Sequence, residues 1–349
     1  MSLENTWKER YQAATDIKDL TADVLTGFNA NIDVVHDAGS IELEDNAEPV
    51  LKEKLESMDD LVSGLKYCVE NGENHEVDFS GFDIELEGKE SIGGQAGIIS
   101  NYLAKNGNGV IFYTPLLSEE LADMLEEKIL YPVIDGEFVL KNVRDAANTD
   151  RTKKNHIFEF ESEKTGRMIV SDHLKGFGPY FRKGVEDNLE SIDRNIDCGI
   201  VSGFHDAEGN IEAKLKKSAS QLKKLESPLH LEYVHKNSDL NLLILKYILP
   251  HVDSLGLDET EIKKVSKLAG LEDPGEHVNL GEAFTFSKNM VEKFDLSRIH
   301  IHTYRYHVTV VKEGYNCHPE TIRDAMMFGE LSAIQMADTG KIPGGEEIK

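Results

Sequence analysis

Five short apolar runs, each stopping at polar residues, constrain this chain more than any other feature. They are "DVLTGFNANIDVV" (23–35), "GVIFYTPLLS" (109–118), "CGIVSGF" (198–204), "LHLEYV" (229–234) and "VDSLGLD" (252–258). Helix-period stretches at 95–105, from Glu119, and at 210–226, 239–249 and 259–269 separate or follow them. A strand covered on both faces reads as an unbroken apolar run, and such strands alternating with helices build a parallel sheet between helical layers. The predicted class is α/β, a doubly wound sandwich. At 349 residues, one large domain with a smaller companion is expected.

Two segments break this pattern. "LYPVIDGEFVLKN" (130–142) carries an Asp135-Gly136 hairpin signal, and "HIFEFESEKTGRMIVSD" (156–172) reads as two alternating strands around Lys164-Thr165-Gly166. Hairpins do not fit a parallel core, so both are assigned to an inserted β-rich lid. The charged, poorly patterned 34–91 region, helical around 50–68, joins them. The division is then 1–33, 92–130 and 175–349 for the large domain, and 34–91 and 131–174 for the lid.

Charge and cysteine content exclude whole classes of partner. The formal net charge of −26 repels nucleic acid and anionic membranes, so neither is expected as a partner. No apolar run approaches the roughly 20 residues that span a bilayer, and "MSLENTWKERYQ" has no secretory core. Three cysteines, Cys68, Cys198 and Cys317, are too few and too scattered for a disulfide framework or a zinc site. A reducing, cytoplasmic setting is expected.

Ligands of open α/β sheets sit beyond the carboxyl ends of the strands, and several polar groups collect there. "NANID" puts Asn29, Asn31 and Asp33 at period two, suited to binding vicinal hydroxyls or to a polar strand end with an Asx turn. "SIGGQAGIISNYLA" (91–104) strips side chains before a helix start, for close approach of a ligand or for a tight turn. "HLE" (His230, Leu231, Glu232) and "DETE" (258–261) offer carboxylates for magnesium, although "DETE" also suits an acidic helix cap. In "RIHIHTYRYHV" the rings of His300, His302, Tyr304 and Tyr306 alternate; rings beside a ligand or packing on a helix fit better than zinc, which has no third donor nearby. Arg151, Lys153, Lys154, Lys164 and Arg167 concentrate in the lid, either to hold a phosphate or as solvated charge. Neither a P-loop nor a dinucleotide fingerprint is present.

Taken in order, "GFNANID", "GGQAGIISNYLA", "FYTPLLS", "VSGF", "HLEYV", "VDSLGLDETEI" and "IHIHTY" resemble the archaeal ADP-dependent glucokinase/phosphofructokinase family over essentially the whole chain. The resemblance implies a ribokinase-like fold with a partly β lid. It also implies transfer of the β-phosphoryl of ADP to glucose or fructose 6-phosphate, releasing AMP, with a divalent metal such as Mg2+. By the same resemblance Asn31 and Asp33 bind sugar hydroxyls, and Gly93, Gly94 and Gln95 line the sugar pocket. His230, Glu232 and Glu261 belong to the metal and phosphate network, with Glu232 and Glu261 as metal carboxylates; Asp258 stands where many relatives have Asn. His302 and Tyr304 fall at the nucleotide pocket. Glu76 is similar to a glutamate of glucose-using members, and Lys153 and Arg167 to the basic residues that hold a 6-phosphate. The pair of features resembles the bifunctional kinases of methanogens.

One element of the family pattern is missing. A Gly-x-Gly-Asp segment, supplying an anion hole and the aspartate that takes the hydroxyl proton, is expected near the C-terminus, and these 349 residues contain none. Asp338, in "MADTGK", lacks the glycines. The expectation is a truncated form, a split gene or a catalytically impaired paralogue that binds sugar or nucleotide. An ATP-dependent ribokinase-type enzyme is the further alternative.

Overall fold

The computed structural model describes residues 3–41, 48–161, 165–275 and 278–348. In chain order the strands are β1 (Asp23–Gly27), β2 (Asn31–Asp37), β3 (Lys54–Leu55), β4 (His75–Phe79), β5 (Lys89–Gly93), β6 (Gly109–Tyr113), β7 (Leu130–Asp135) and β8 (Glu137–Asn142). They continue as β9 (Lys154–Glu161), β10 (Thr165–Ser171), β11 (Cys198–Val201), β12 (Leu229–Glu232), β13 (Ser254–Asp258), β14 (Arg298–His302) and β15 (His307–Val311).

Two sheets organise them. The larger has the order β15-β14-β13-β12-β11-β1-β6-β7-β8, parallel from β14 through β7 with antiparallel strands at both edges. Its inner strands are apolar on both faces, as in β6 and β13, where four of five residues are buried. The expected helices appear at Gln95–Lys105, Ile211–Leu222, Ser238–Tyr247 and Glu259–Leu268. Strand order reverses at β1, which pairs with β11 on one side and β6 on the other. That reversal opens a crevice at the strand ends, where ligands of such sheets bind.

The smaller sheet has the order β3-β4-β10-β9-β2-β5. One face carries Val77, Phe158, Phe160, Met168 and Val170, which bury against Leu61, Leu65 and Cys68 of the helix Met58–Asn71. Side chains alternate along a strand, so the other face takes the polar residues. The chain first enters this sheet after β1, leaves it through β5 into the helix Gln95–Lys105, and returns for β9 and β10.

Two sequence expectations are corrected. The hairpin 130–142 forms as its Asp-Gly signal predicts, but it joins the large sheet rather than the lid: β7 pairs with β6 through Leu130 and Ile111. Tyr131 explains the address, since its ring is buried 5.4 Å from that of Tyr113 and 6.4 Å from that of Phe112. Parallel sheets accept antiparallel edge strands. Next, β2 begins at Asn31 and β5 runs to Gly93, so residues 31–33 and 92–93 pair within the smaller sheet. "RIHIHTYRYHV" packs on helices, one of its two readings: it is β14, a turn and the start of β15, lying against the helix Leu280–Phe294. His307 Nε2 is 3.2 Å from Glu330 Oε2 of the helix Pro319–Thr339. The Lys164 of the lid turn lies outside the described residues.

Candidate functional site

The first corner of the site is where β1 gives way to β2. Asn29 is buried there, and its Oδ1 accepts from Ser202 Oγ at 2.6 Å and from Ala96 N at 3.3 Å. It ties β1 to the loop after β11 and to the start of the helix Gln95–Lys105. Asn29 therefore does not extend the polar row of Asn31 and Asp33, as the period-two reading had it; its oxygen is committed to the framework.

Within the smaller sheet the pairings place Asn31 opposite Gly93, Asp33 opposite Asn155, Arg167 opposite Glu159, and Ile169 opposite both Ile157 and Glu76. Paired residues share a face, so Asn31, Asp33, Gly93, Asn155, Glu76 and Arg167 all lie on the polar side. Asn31 Nδ2 donates to Asp33 Oδ1 at 2.6 Å, and Ser171 Oγ donates to Glu76 Oε1 at 2.6 Å. Burial pushes the Asp33 carboxyl above its ordinary range; Asn31, Lys153, Asn155 and Arg167 offset only part of this.

The two bare glycines serve this corner. A Cβ on Gly93 would sit 2.4 Å from Asn31 Nδ2 and 2.5 Å from Asp33 Oδ1; one on Gly94 would meet Ala30 Cα at 2.8 Å and Asn29 O at 2.9 Å. Their missing side chains make room for neighbouring protein atoms, bringing the strand–helix corner against Asn31 and Asp33. Gln95, the first helical residue, keeps a buried Oε1 with no hydrogen-bond partner. Natural structures seldom leave such an atom unpaired without a ligand or water to meet it.

Beside Lys153, in the loop after β11, stand two residues the sequence reading missed, His205 and Asp206. Lys153 Nζ donates to Asp206 Oδ1 at 3.0 Å, and His205 Nε2 lies 3.8 Å from Asp206 Oδ2. Burial alone would raise the Asp206 carboxyl, but His205 and Lys153 bring it down to about 2. "HD" directly after the "VSGF" strand end was the available signal, because a strand's carboxyl end is where site residues collect. Arg167 sits farther out, in a cavity of about 810 Å³ that it shares with Asp37, Asn74, Glu159, Glu161 and Tyr304. Tyr304 is 97% exposed at the tip of the β14–β15 turn.

A second cluster occupies the ends of β12, β13 and β14. His230 Nε2 and Glu232 Oε2 are 3.2 Å apart, and a Cβ on Gly256, in the strand between β12 and β14, would meet that oxygen at 2.3 Å. Against its burial, Glu232 is held below the usual carboxylate range by His230, His302 and His300. Burial pushes the His300 imidazole down to about 3. Glu261 goes the other way, to about 8, through burial and the nearby Asp258 and Glu232 charges, which outweigh its backbone hydrogen bonds. Asp258 and Glu261 form a capping box: Asp258 Oδ1 accepts from Glu261 N at 2.8 Å, and Glu261 Oε2 accepts from Asp258 N at 2.9 Å. Glu261 Oε1 accepts from His235 N at 3.0 Å. Among the described residues no three His, Cys, Asp or Glu side chains converge as a metal cage.

The segment after β12 joins the clusters. The His235 amide reaches Glu261, while the Lys236 charge acts on His205 and Asp206. The segment 235–236 thus links Glu261, by a hydrogen bond, to the Lys153–Asp206 pair, by charge.

The chain is similar to known proteins over nearly its whole length. A family model described as the ADP-specific phosphofructokinase/glucokinase conserved region matches residues 22–347. The ADP-specific phosphofructokinase of Pyrococcus abyssi is 27% identical over 377 residues, covering 93% of this chain and 83% of the relative. The ADP-dependent glucose/glucosamine kinase of Pyrococcus furiosus is 26% identical over 397 residues, covering 99% and 84%. The solved structure of an ADP-dependent kinase in complex with fructose-6-phosphate and ADPβS superimposes with a TM-score of 0.81 at 26% identity, covering 100% of this chain and 82% of that one. The fold is ribokinase-like.

Proposed function

The chain belongs to the ADP-specific phosphofructokinase/glucokinase family, and from that premise we propose that it is an ADP-dependent sugar kinase. It transfers the β-phosphoryl of ADP to a hexose, glucose or fructose 6-phosphate, and releases AMP in the cytoplasm. The observation that carries the reading is the polar face of the smaller sheet over the strand-order reversal. There Asn31 and Asp33 are hydrogen-bonded to each other beside the partnerless Gln95 Oε1. Hydroxyls are donor and acceptor at once, and a carboxylate, two amides and bare backbone match them. ADP occupies the other end of the crevice, with His302 and Tyr304 beside it.

The donor set fits Mg2+ held largely by phosphate and water. Burial, with the nearby Asp258 and Glu232 charges, raises the pKa of Glu261, and a buried acid of this kind favours a cation. When bound, the metal neutralises charge on the phosphoryl oxygens. The chain's own residues position the partners: Asp33 and Gln95 orient the sugar, and the smaller sheet screens it from water. No residue here is assigned the removal of the hydroxyl proton.

Calorimetry with glucose, fructose 6-phosphate and ADP, with and without Mg2+, tests the reading. At least one sugar is expected to bind, and Mg2+ is expected to tighten ADP; absence of both effects overturns the assignment. Assay of AMP production from ADP and sugar then measures how much turnover these 349 residues support.

A further inference from the structure

Of the two basic residues matched to a 6-phosphate, Lys153 is paired with a carboxylate and Arg167 has carboxylates in its surroundings. Lys153 and Asp206 form an enclosed pair, their side chains 12% and 11% exposed at 3.0 Å. The loop after β11 holds Asp206 in place through Asp206 N donating to Gly203 O at 3.1 Å. Arg167 shares its cavity with Asp37, Glu159 and Glu161. A phosphate dianion only accepts hydrogen bonds, so at Lys153 it must share the ammonium with a buried carboxylate that repels it. A hydroxyl faces no such conflict: it accepts from the Lys153 ammonium while donating to Asp206.

Resting on the sugar-kinase reading, we propose that Asp206 is a specificity-determining residue that makes this site select an unphosphorylated hexose over its 6-phosphate. It acts through Lys153, by occupying the ammonium and by repelling a second anion. This is discrimination by a repulsive element as much as by an attractive one.

Calorimetry on the full chain decides it. Wild type is expected to bind glucose at least about tenfold more tightly than glucose 6-phosphate or fructose 6-phosphate. Asp206→Asn keeps the side chain's shape and removes its charge. It is expected to tighten the sugar phosphates by about tenfold or more, a gain that shrinks with added salt, while glucose, whose hydroxyl loses a charged acceptor, binds more weakly. Asp206→Glu is expected to restore the discrimination. Parallel changes for both sugar types would reduce Asp206 to a structural role and overturn the inference. If Asp206→Asn does not fold, the wild-type ratio decides alone: tighter binding of a sugar phosphate than of glucose overturns it. Binding of no sugar at all overturns the kinase reading and this inference with it.

Discussion

Gly94→Ala is expected to unfold the protein at a much lower temperature than wild type and to abolish sugar binding in whatever remains folded. Gly94 has φ 72° and ψ 137°, a region L-residues avoid at a cost of about 1–3 kcal/mol. The added Cβ would also press on backbone, Ala30 Cα at 2.8 Å and Asn29 O at 2.9 Å, with no flexible side chain to yield. Overpacking of that kind adds about 1–3 kcal/mol. A total of about 2–6 kcal/mol is a large share of the 5–15 kcal/mol typical of a folded domain. Gly136→Ala is the control. It has φ 75° but nothing within 4 Å of the new Cβ, so it carries the strain without the clash. Thermal and denaturant unfolding of both variants measure the difference. Equal losses would mean that the strand–helix corner has slack and does not hold Asn31 and Asp33 in register.

Asp33 is expected to trade stability for binding. Replacing it with Asn keeps an oxygen for Asn31 Nδ2, which now donates at 2.6 Å, but removes the charge that hydroxyl donors bind best. Hydrogen bonds to a charged group contribute about 1.5–3 kcal/mol, so hexose binding should weaken by roughly tenfold to 150-fold. The folded protein, however, should gain. Burial raises the Asp33 pKa above its ordinary 3.8, so just above that value the native state keeps a proton the unfolded chain has lost. Stability therefore falls as pH rises through that window, and the penalty is fully developed at neutral pH. Asp33→Asn lacks it and should melt higher than wild type at pH 7, with the gap closing below the ordinary carboxylate pKa. A variant that melts lower at pH 7 would identify Asp33 as a structural ion-pair partner instead.

Sequence alone carried the features that depend on neighbours along the chain. Alternating apolar runs and helix periods specified a doubly wound sheet, because burial on two faces or one stripe is written locally. The helix at 95–105 follows from "GGQAG" before an apolar run, and the Asp135-Gly136 turn from the φ that glycine permits. Period two put Asn31 and Asp33 on one face before any coordinates, and "DETE" contained the cap that forms at Asp258.

Tertiary structure decided what depends on distant partners. The 130–142 hairpin was recognisable, but its sheet was set by Tyr131 packing on Phe112 and Tyr113. Lys153 read as a phosphate holder or as solvated charge, and the fold paired it with Asp206, 53 positions away. Gly93 and Gly94 signalled close approach without saying of what, and the answer is Asn31, Asp33 and the Asn29–Ala30 backbone. A turn or a periodicity is an energy summed over adjacent residues, whereas a compensated charge, a shared cavity and an edge strand's partner are energies between segments that only folding makes neighbours.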